Sequence, residues 1–331
     1  GTPYNSTMLK LIRLKLAKID YSGDSIGDDI RIEIDCLNRS LDINKKINSG
    51  TEVTLAASVG DFFTDQPTFS LPLSVRVIER DLIFNDVGRT EETFVVDMRH
   101  TAVQRFTASV DVLEKRSYMT KKKAVFEMRF EARVSDAILY VKYQNDGDGW
   151  LEVIPEKKGE NFSIPYHIKV RLEKEEVGRQ YFTVLEGGHR GTKASVKLDD
   201  DGSSFLQAEN PHTAAVHFVY SLSTRILKLK TKRYTTIPYQ DDPQPWEKRL
   251  YDIAIPDAPH EGGESYLDRA KLAKVWFKVS HRDGKRYLHP GARTAGCITL
   301  TEISRWDDLC KILLRARKGD GQSVGVVEIT D

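Results

Sequence analysis

The stretch "IRIEIDC", Ile30–Cys36, decides the fold of the first part of this chain. Apolar and polar residues alternate without a break: Ile30, Ile32, Ile34 and Cys36 fall on one side, Arg31, Glu33 and Asp35 on the other. That two-residue period is the mark of a strand with one face buried. Working outward, "LKLIRLKL", "EVTLAASV", "LSVRVIER", "RFTASVDVL" and "AVFEMRFEARV" carry the same alternation. Turn clusters such as "YSGDSIGDD" and "FTDQPT" separate them. Six or more such strands with almost no helical period predict an antiparallel β-sandwich over residues 8–135.

Bulk properties exclude several classes. The chain has 331 residues, of which 40% are apolar, so two or three domains with real cores are possible. Charged residues make up 30% and nearly cancel, leaving a formal net charge of +1, which argues against nucleic acid as a partner. No apolar run is long enough for a transmembrane segment. The opening "GTPYNSTM" has neither the basic nor the apolar region of a secretory signal and reads as an added tag before a start at Met8. The site of action is therefore expected in the periplasm or cell wall if the chain is exported, and in the cytoplasm otherwise. Three cysteines, Cys36, Cys297 and Cys310, are too few and too odd for a disulfide framework. No CxxC or HExxH motif points to zinc, and no cofactor is expected.

Residues 136–212 read as a β-rich connecting module or as a lead-in to the last domain. "AILYVKYQNDGDGWLEVIP" is expected to form a hairpin around "NDGDG", and "IKVRL" and "YFTVL" are short strands. "EGGHRGTK" and "LDDDGSS" are loops, and His189 lies in the first. From residue 213 to 331 short strands continue with Pro-rich connections. One helix stands out, with Ile303, Trp306, Cys310 and Leu313 at three- and four-residue steps. Ser304 with Asp307 is expected to form a variant capping box, and Gly319 to mark the far end. The fold class is thus mainly β throughout, with few helices.

The chemistry concentrates in "YLHPGARTAGCITL", Tyr287–Leu300. A cysteine nucleophile must become a thiolate, and a histidine within hydrogen-bond reach can take its proton and later return it to a leaving amine. Gly296 lets a carbonyl approach Cys297 closely, and amides from Ala295 to Cys297 could face a developing oxyanion. "LHPG" is expected to fold His289 back toward Cys297. The same residue types also suit a buried structural thiol, so the residues alone leave both readings open. Cys36 and Cys310 fit packing roles. His260 is positioned to line the site or to orient His289, Trp276 and Tyr287 to flank it, and His281 to face solvent.

This region resembles the L,D-transpeptidase catalytic domain of the YkuD type, in which a strand ending in His-Gly precedes a loop and a Ser/Thr-His-Gly-Cys motif. "LHPG" is similar to the first element and "TAGCI" to the second, with Thr294, Gly296 and Cys297 matching. "RILKLKTKRYTTIPY" and "DPQPWEKRLYDIAIP" are similar to earlier elements in the same order. The resemblance covers roughly residues 213–331. It implies a cysteine enzyme that forms a thioester on peptidoglycan stem peptides, with Cys297 as nucleophile, His289 as base and no metal or cofactor. Ala295 departs from the family histidine, and the loop from His289 to Cys297 is short, which resembles the branch used as secreted antibacterial toxins. Arg293 sits where a guanidinium could hold a substrate carboxylate.

A second, looser resemblance concerns "VIERDLIFNDVGRTE", Val77–Glu91, which looks like a Ca²⁺-loop region of a C2 domain. It implies Ca²⁺ ligands at Glu79, Asp81 and Asp86, with "DSIGDD" contributing further carboxylates; solvated loop acids are the plain alternative. Two rivals to the stem-peptide enzyme stand beside it. One is a non-catalytic scaffold whose C2-like domain binds a protein partner or a lipid. The other is a cysteine amidase acting on a substrate outside peptidoglycan.

Overall fold

The computed structural model describes residues 8–115 and 121–331. The chain divides into two compact units, the first ending at Ala137 and the second running from Ile138 to Asp331.

Among the described residues, the first unit contains eight strands: β1 (Lys10–Gly23), β2 (Asp29–Cys36), β3 (Arg39–Lys46), β4 (Thr51–Thr64), β5 (Thr68–Glu79), β6 (Asp86–Asp97), β7 (Gln104–Leu113) and β8 (Lys123–Asp136). They form two antiparallel sheets, ordered β4-β1-β8-β7 and β3-β2-β5-β6. The alternation in β2 sends Ile30, Ile32, Ile34 and Cys36 into the core, as the sequence pattern requires. Leu14, Leu16 and Ile19 of β1 and Phe126, Met128 and Phe130 of β8 join them from the other sheet. Burial pushes the Cys36 thiol up to about 11, which makes it inert.

The segment Val77–Glu91, which resembles a Ca²⁺-loop region, is mostly hairpin: β5 runs to Glu79, β6 starts at Asp86, and these two residues pair across the strands. Gly88 lies on β6, where a Cβ would come within 2.2 Å of the Asp111 carbonyl oxygen, so a close backbone approach explains that glycine. Glu79 and Asp86 are buried and Asp81 lies in the exposed connection.

In the second unit, residues 138–212 and 213–331 share one compact body. Ile138–Val141 and Trp150–Pro155 do not pair as a hairpin. The first lies between Lys169–Glu176 and Leu206–Gln207, and the second between Phe162–Pro165 and Lys193–Lys197. "NDGDG" therefore crosses the seven-stranded sheet rather than turning back on itself, because each strand finds its partner further along the chain. A five-stranded sheet comes next, in which Val216–Ser221 runs parallel to the closing strand Ser323–Thr330. The helix α1 (Trp306–Arg315) buries Trp306, Leu309, Cys310 and Leu313. The expected capping box is absent: no side chain caps the helix, and Asp307 instead accepts the amides of Lys271 (3.0 Å) and Leu272 (2.9 Å). A three-stranded sheet of Phe277–Lys278, Tyr287–Pro290 and Ile298–Leu300 carries the residues of interest.

Candidate functional site

The strands Tyr287–Pro290 and Ile298–Leu300 are parallel, with Leu288 opposite Ile298 and His289 opposite Thr299. A parallel return needs the chain to travel back along the first strand, and residues 291–297 do this. The register then places Cys297 beside Tyr287, two residues short of His289. Side chains alternate across a strand, so Tyr287, His289, Cys297 and Thr299 share one face. The "LHPG" bend thus brings Thr299, not Cys297, against the His289 ring.

Cys297 is partly exposed. Its Sγ accepts the Tyr287 amide at 3.3 Å and lies 3.6 Å from the Lys285 carbonyl, to which the thiol donates. Burial raises the thiol above its ordinary range, against the lowering pull of the Tyr287 amide and Arg286. The resting group is a protonated thiol, and a base is required to activate it.

His289 is almost fully buried. Its Nδ1–H donates to the Pro290 carbonyl at 2.8 Å, which leaves the Nε2 lone pair to accept the Thr299 hydroxyl at 3.1 Å. Burial pulls its pKa down to about 4; the Pro290 contact opposes this and His260 adds to it. The ring is therefore neutral, burial makes it a weak base in this resting arrangement, and its accepting nitrogen is occupied by Thr299. The His289 ring stacks on Trp276 (centroids 4.0 Å), and His260 stacks nearly parallel on the same indole (4.6 Å, 8°). Tyr287 meets His260 edge-on at 4.7 Å. His260 Nε2 is buried without a hydrogen bond; the nearest carboxylate, Asp257 Oδ1, is 3.7 Å away, an ion-pair separation. Contact with His260 holds the Asp257 carboxyl below its usual range.

The peptide before Cys297 is clamped. Gly296 has φ of +108°, and a Cβ there would lie 2.2 Å from Arg286 Cζ. Its carbonyl accepts Arg286 Nη1 at 2.8 Å and Trp246 Nε1 at 3.1 Å. Arg286 is itself buried, paired through both Nη atoms with Asp242 (2.8 Å each) and through Nε with Asp283. Burial alone would lower the guanidinium; the two carboxylates, Asp242 foremost, more than offset it and leave it above its ordinary value. In a trans peptide the N–H opposes the C=O, so a carbonyl fixed on Arg286 turns the Cys297 amide away from the clamp. Thr294 closes the turn: its hydroxyl donates to the Cys297 carbonyl (3.0 Å) and accepts the Gly296 amide (3.2 Å). Arg293 and Ala295 lie on the loop itself.

The structure thus gathers Cys297, Gly296, Thr294, His289 and His260 in one cluster with Tyr287 and Trp276. His281 is buried rather than solvent-facing: it stands 3.2 Å from Asp283 and packs on Trp246. His189 packs on Phe162. Arg286, Asp242 and Trp246 escape sequence reading, because 44 residues separate the ion pair and no motif spans it.

In the first unit, burial and then Asp81, Asp86, Asp29 and Asp28 push Glu79 up to about 7. Asp86 Oδ1 accepts the Lys115 amide at 2.8 Å, and Asp81 Oδ1 accepts the Leu82 amide at 2.6 Å. Among the described residues, no three His, Cys, Asp or Glu side chains are grouped to hold a metal ion. No helix among them is long and apolar enough to cross a membrane.

No protein family matches the sequence, and no curated protein matches it either. Among solved structures, the chain is similar to a C2 domain of plant Extended Synaptotagmin 1, with 13% identity over 37% of this chain and 93% of that one and a TM-score of 0.20. It is also similar to human GIVD cytosolic phospholipase A2, with 10% identity and a TM-score of 0.26. That match spans 66% of this chain and 34% of the phospholipase. Likeness at this level carries no functional argument.

Proposed function

We propose that the second unit is a cysteine acyl-transferase or hydrolase of the L,D-transpeptidase type, working through a Cys297 thioester on peptidoglycan stem peptides. The observation that carries this reading is the clamped peptide: the carbonyl before a partly exposed cysteine is fixed by Arg286 and Trp246, which turns the cysteine amide away. In the proposed cycle Cys297 leaves the Tyr287 amide by rotating about its side-chain bond. Its thiol proton passes to a neutral imidazole, His289, once Thr299 releases Nε2. Sγ then bonds to the stem-peptide carbonyl, and the Cys297 amide donates to the oxyanion. Collapse expels the amine, which takes the proton back from the imidazole. A second amine or water resolves the thioester in the same way. A positioned base of this kind contributes roughly 10²- to 10⁴-fold in rate. Purified tetrapeptide tests the reading: Cys297→Ala is expected to abolish turnover with an unchanged melting temperature, and full activity in that variant would refute it.

A second reading concerns the first unit and rests on a different observation. In the connection between β5 and β6, Leu82 is fully exposed and Ile83 and Phe84 are 70% and 60% exposed. Three consecutive large apolar side chains in water are a docking feature rather than a core. A C2-like sandwich that inserts this loop into a lipid surface would bring the cysteine unit to a membrane. Co-sedimentation with anionic vesicles, with and without Ca²⁺, tests it. Loss of binding in Leu82→Ser/Phe84→Ser supports it, and indifference to that change rejects it.

A further inference from the structure

The second unit holds a separate polar cleft whose chemistry the cysteine site does not use. The loops 185–191 and 317–321 meet through a hydrogen bond from the Gly187 amide to the Gly321 carbonyl (2.8 Å). Between them lies a cleft of about 310 Å³ that Lys169, Glu186, Arg190, His212, Arg317 and Asp320 line.

The acids in this cleft are already engaged. Glu186 is buried, and its Oε1 accepts Arg317 Nε (3.1 Å), Arg317 Nη2 (3.0 Å) and the Lys169 amide (2.9 Å). Asp320 turns Oδ1 onto its own loop, accepting the amides of Gln322 (2.9 Å) and Ser323 (2.7 Å). His212 donates Nε2–H to the His167 carbonyl at 2.7 Å, and burial, then Arg317, keep its pKa low. It adds no charge at neutral pH.

Two cations remain. The Lys169 ammonium and the Arg190 guanidinium line the cleft with no hydrogen-bond or ion-pair partner among the described residues. Gly321, at φ +73°, leaves room for Arg190: a Cβ there would lie 3.2 Å from Arg190 Nη1. Behind the cleft, burial and then the neighbouring guanidinium groups of Arg315 and Arg317 hold His167 down at about 4, so it too is uncharged at neutral pH. A concave site with surplus cations over a partly desolvated floor concentrates anions. A point-charge lysine and a planar guanidinium are the pair that binds carboxylate or phosphate.

We propose that this cleft binds a small oxyanion, a carboxylate or a phosphate ester, through Lys169 and Arg190, with Arg317 fixed behind them by Glu186. The proposal does not depend on the reading of Cys297.

Isothermal titration calorimetry of the full chain tests it, with pyrophosphate and citrate as probes against sodium chloride at matched ionic strength. Saturable one-to-one binding is expected from at least one probe. Lys169→Gln/Arg190→Gln should weaken it at least about tenfold without lowering the melting temperature, and Lys169→Arg should retain it. Saturation by pyrophosphate alone assigns a phosphate-bearing ligand, and by citrate alone a carboxylate. No saturable heat above the chloride control, or equal binding by a folded double variant, overturns the proposal.

Discussion

The Arg286 guanidinium occupies the space that a side chain on residue 296 would need, and it donates to the Gly296 carbonyl at 2.8 Å. The glycine and the arginine therefore depend on each other. Gly296→Ala combines a steric overlap with a φ of +108° that non-glycine residues rarely adopt, and each effect costs on the order of 1–3 kcal/mol. The expected result is a melting temperature several degrees lower and loss of any Cys297-dependent turnover. Denaturant unfolding of the variant measures the first, and unchanged stability contradicts the clamp.

Arg286→Met leaves the half-buried Asp242 and Asp283 without their cation. Breaking a fully buried pair from one side typically costs about 3–5 kcal/mol, and the water that reaches these two carboxylates sets the expected cost at or below the lower end of that range. Asp242→Asn/Arg286→Met should recover part of that loss, since one uncompensated charge is gone, while failing to restore reactivity at Cys297. A double-mutant cycle in urea separates the two contributions.

Thiol labelling distinguishes the three cysteines. Burial raises Cys297, pushes Cys36 to about 11 and raises the fully buried Cys310 well above its ordinary range. Iodoacetamide should modify Cys297 first because it is partly exposed, with a rate that climbs through neutral pH instead of reaching a plateau in mild acid. Peptide mapping after timed quenching reads this order. Equal labelling of all three would mean that the Cys297 environment differs from the one described.

The two units should respond to pH with opposite sign. Glu79 has its pKa raised from 4.5 to about 7 in the folded sandwich, so the native state holds a proton that the unfolded chain has released. Its stabilising effect is complete below pH 4.5 and is lost as pH rises through 7. His289 and His167 are lowered from 6.5 to about 4, so their neutral native forms stabilise the second unit above pH 6.5. That contribution is lost as pH falls toward 4. Calorimetric melts of the full chain from mild acid to mild base should show two transitions moving in opposite directions. Glu79→Gln should remove the pH dependence of the first and leave the second intact.

Much of the first unit is legible from alternation alone. β2 reads directly from "IRIEIDC" because one face is buried and the other is wet. β3 is harder to read because most of its residues are exposed and only Leu41 and Ile43 turn toward the core, each half-buried. β6 escapes it because Gly88 and the acids around it look like loop chemistry, although Gly88 is there to admit the Asp111 carbonyl. At the candidate site, local spacing points to Cys297, Gly296, Thr294 and His289, which lie in one neighbourhood, and His260 joins them from a separate loop through Trp276 and Tyr287. Their pairing is not legible. The parallel register that sets Tyr287 beside Cys297, and His289 beside Thr299, is a property of strand pairing and leaves no trace in the short segment between them. Asp242 and Arg286 meet only once the fold exists.

The most direct measurement is intact-protein mass spectrometry after brief incubation with tetrapeptide, followed by an acid quench. The expected result is an adduct of the acyl fragment's mass on Cys297, absent from Cys297→Ala and depleted in His289→Ala. A chain that stays unmodified with tetrapeptide and with intact sacculi, at every pH where it remains folded, would contradict the enzymatic reading.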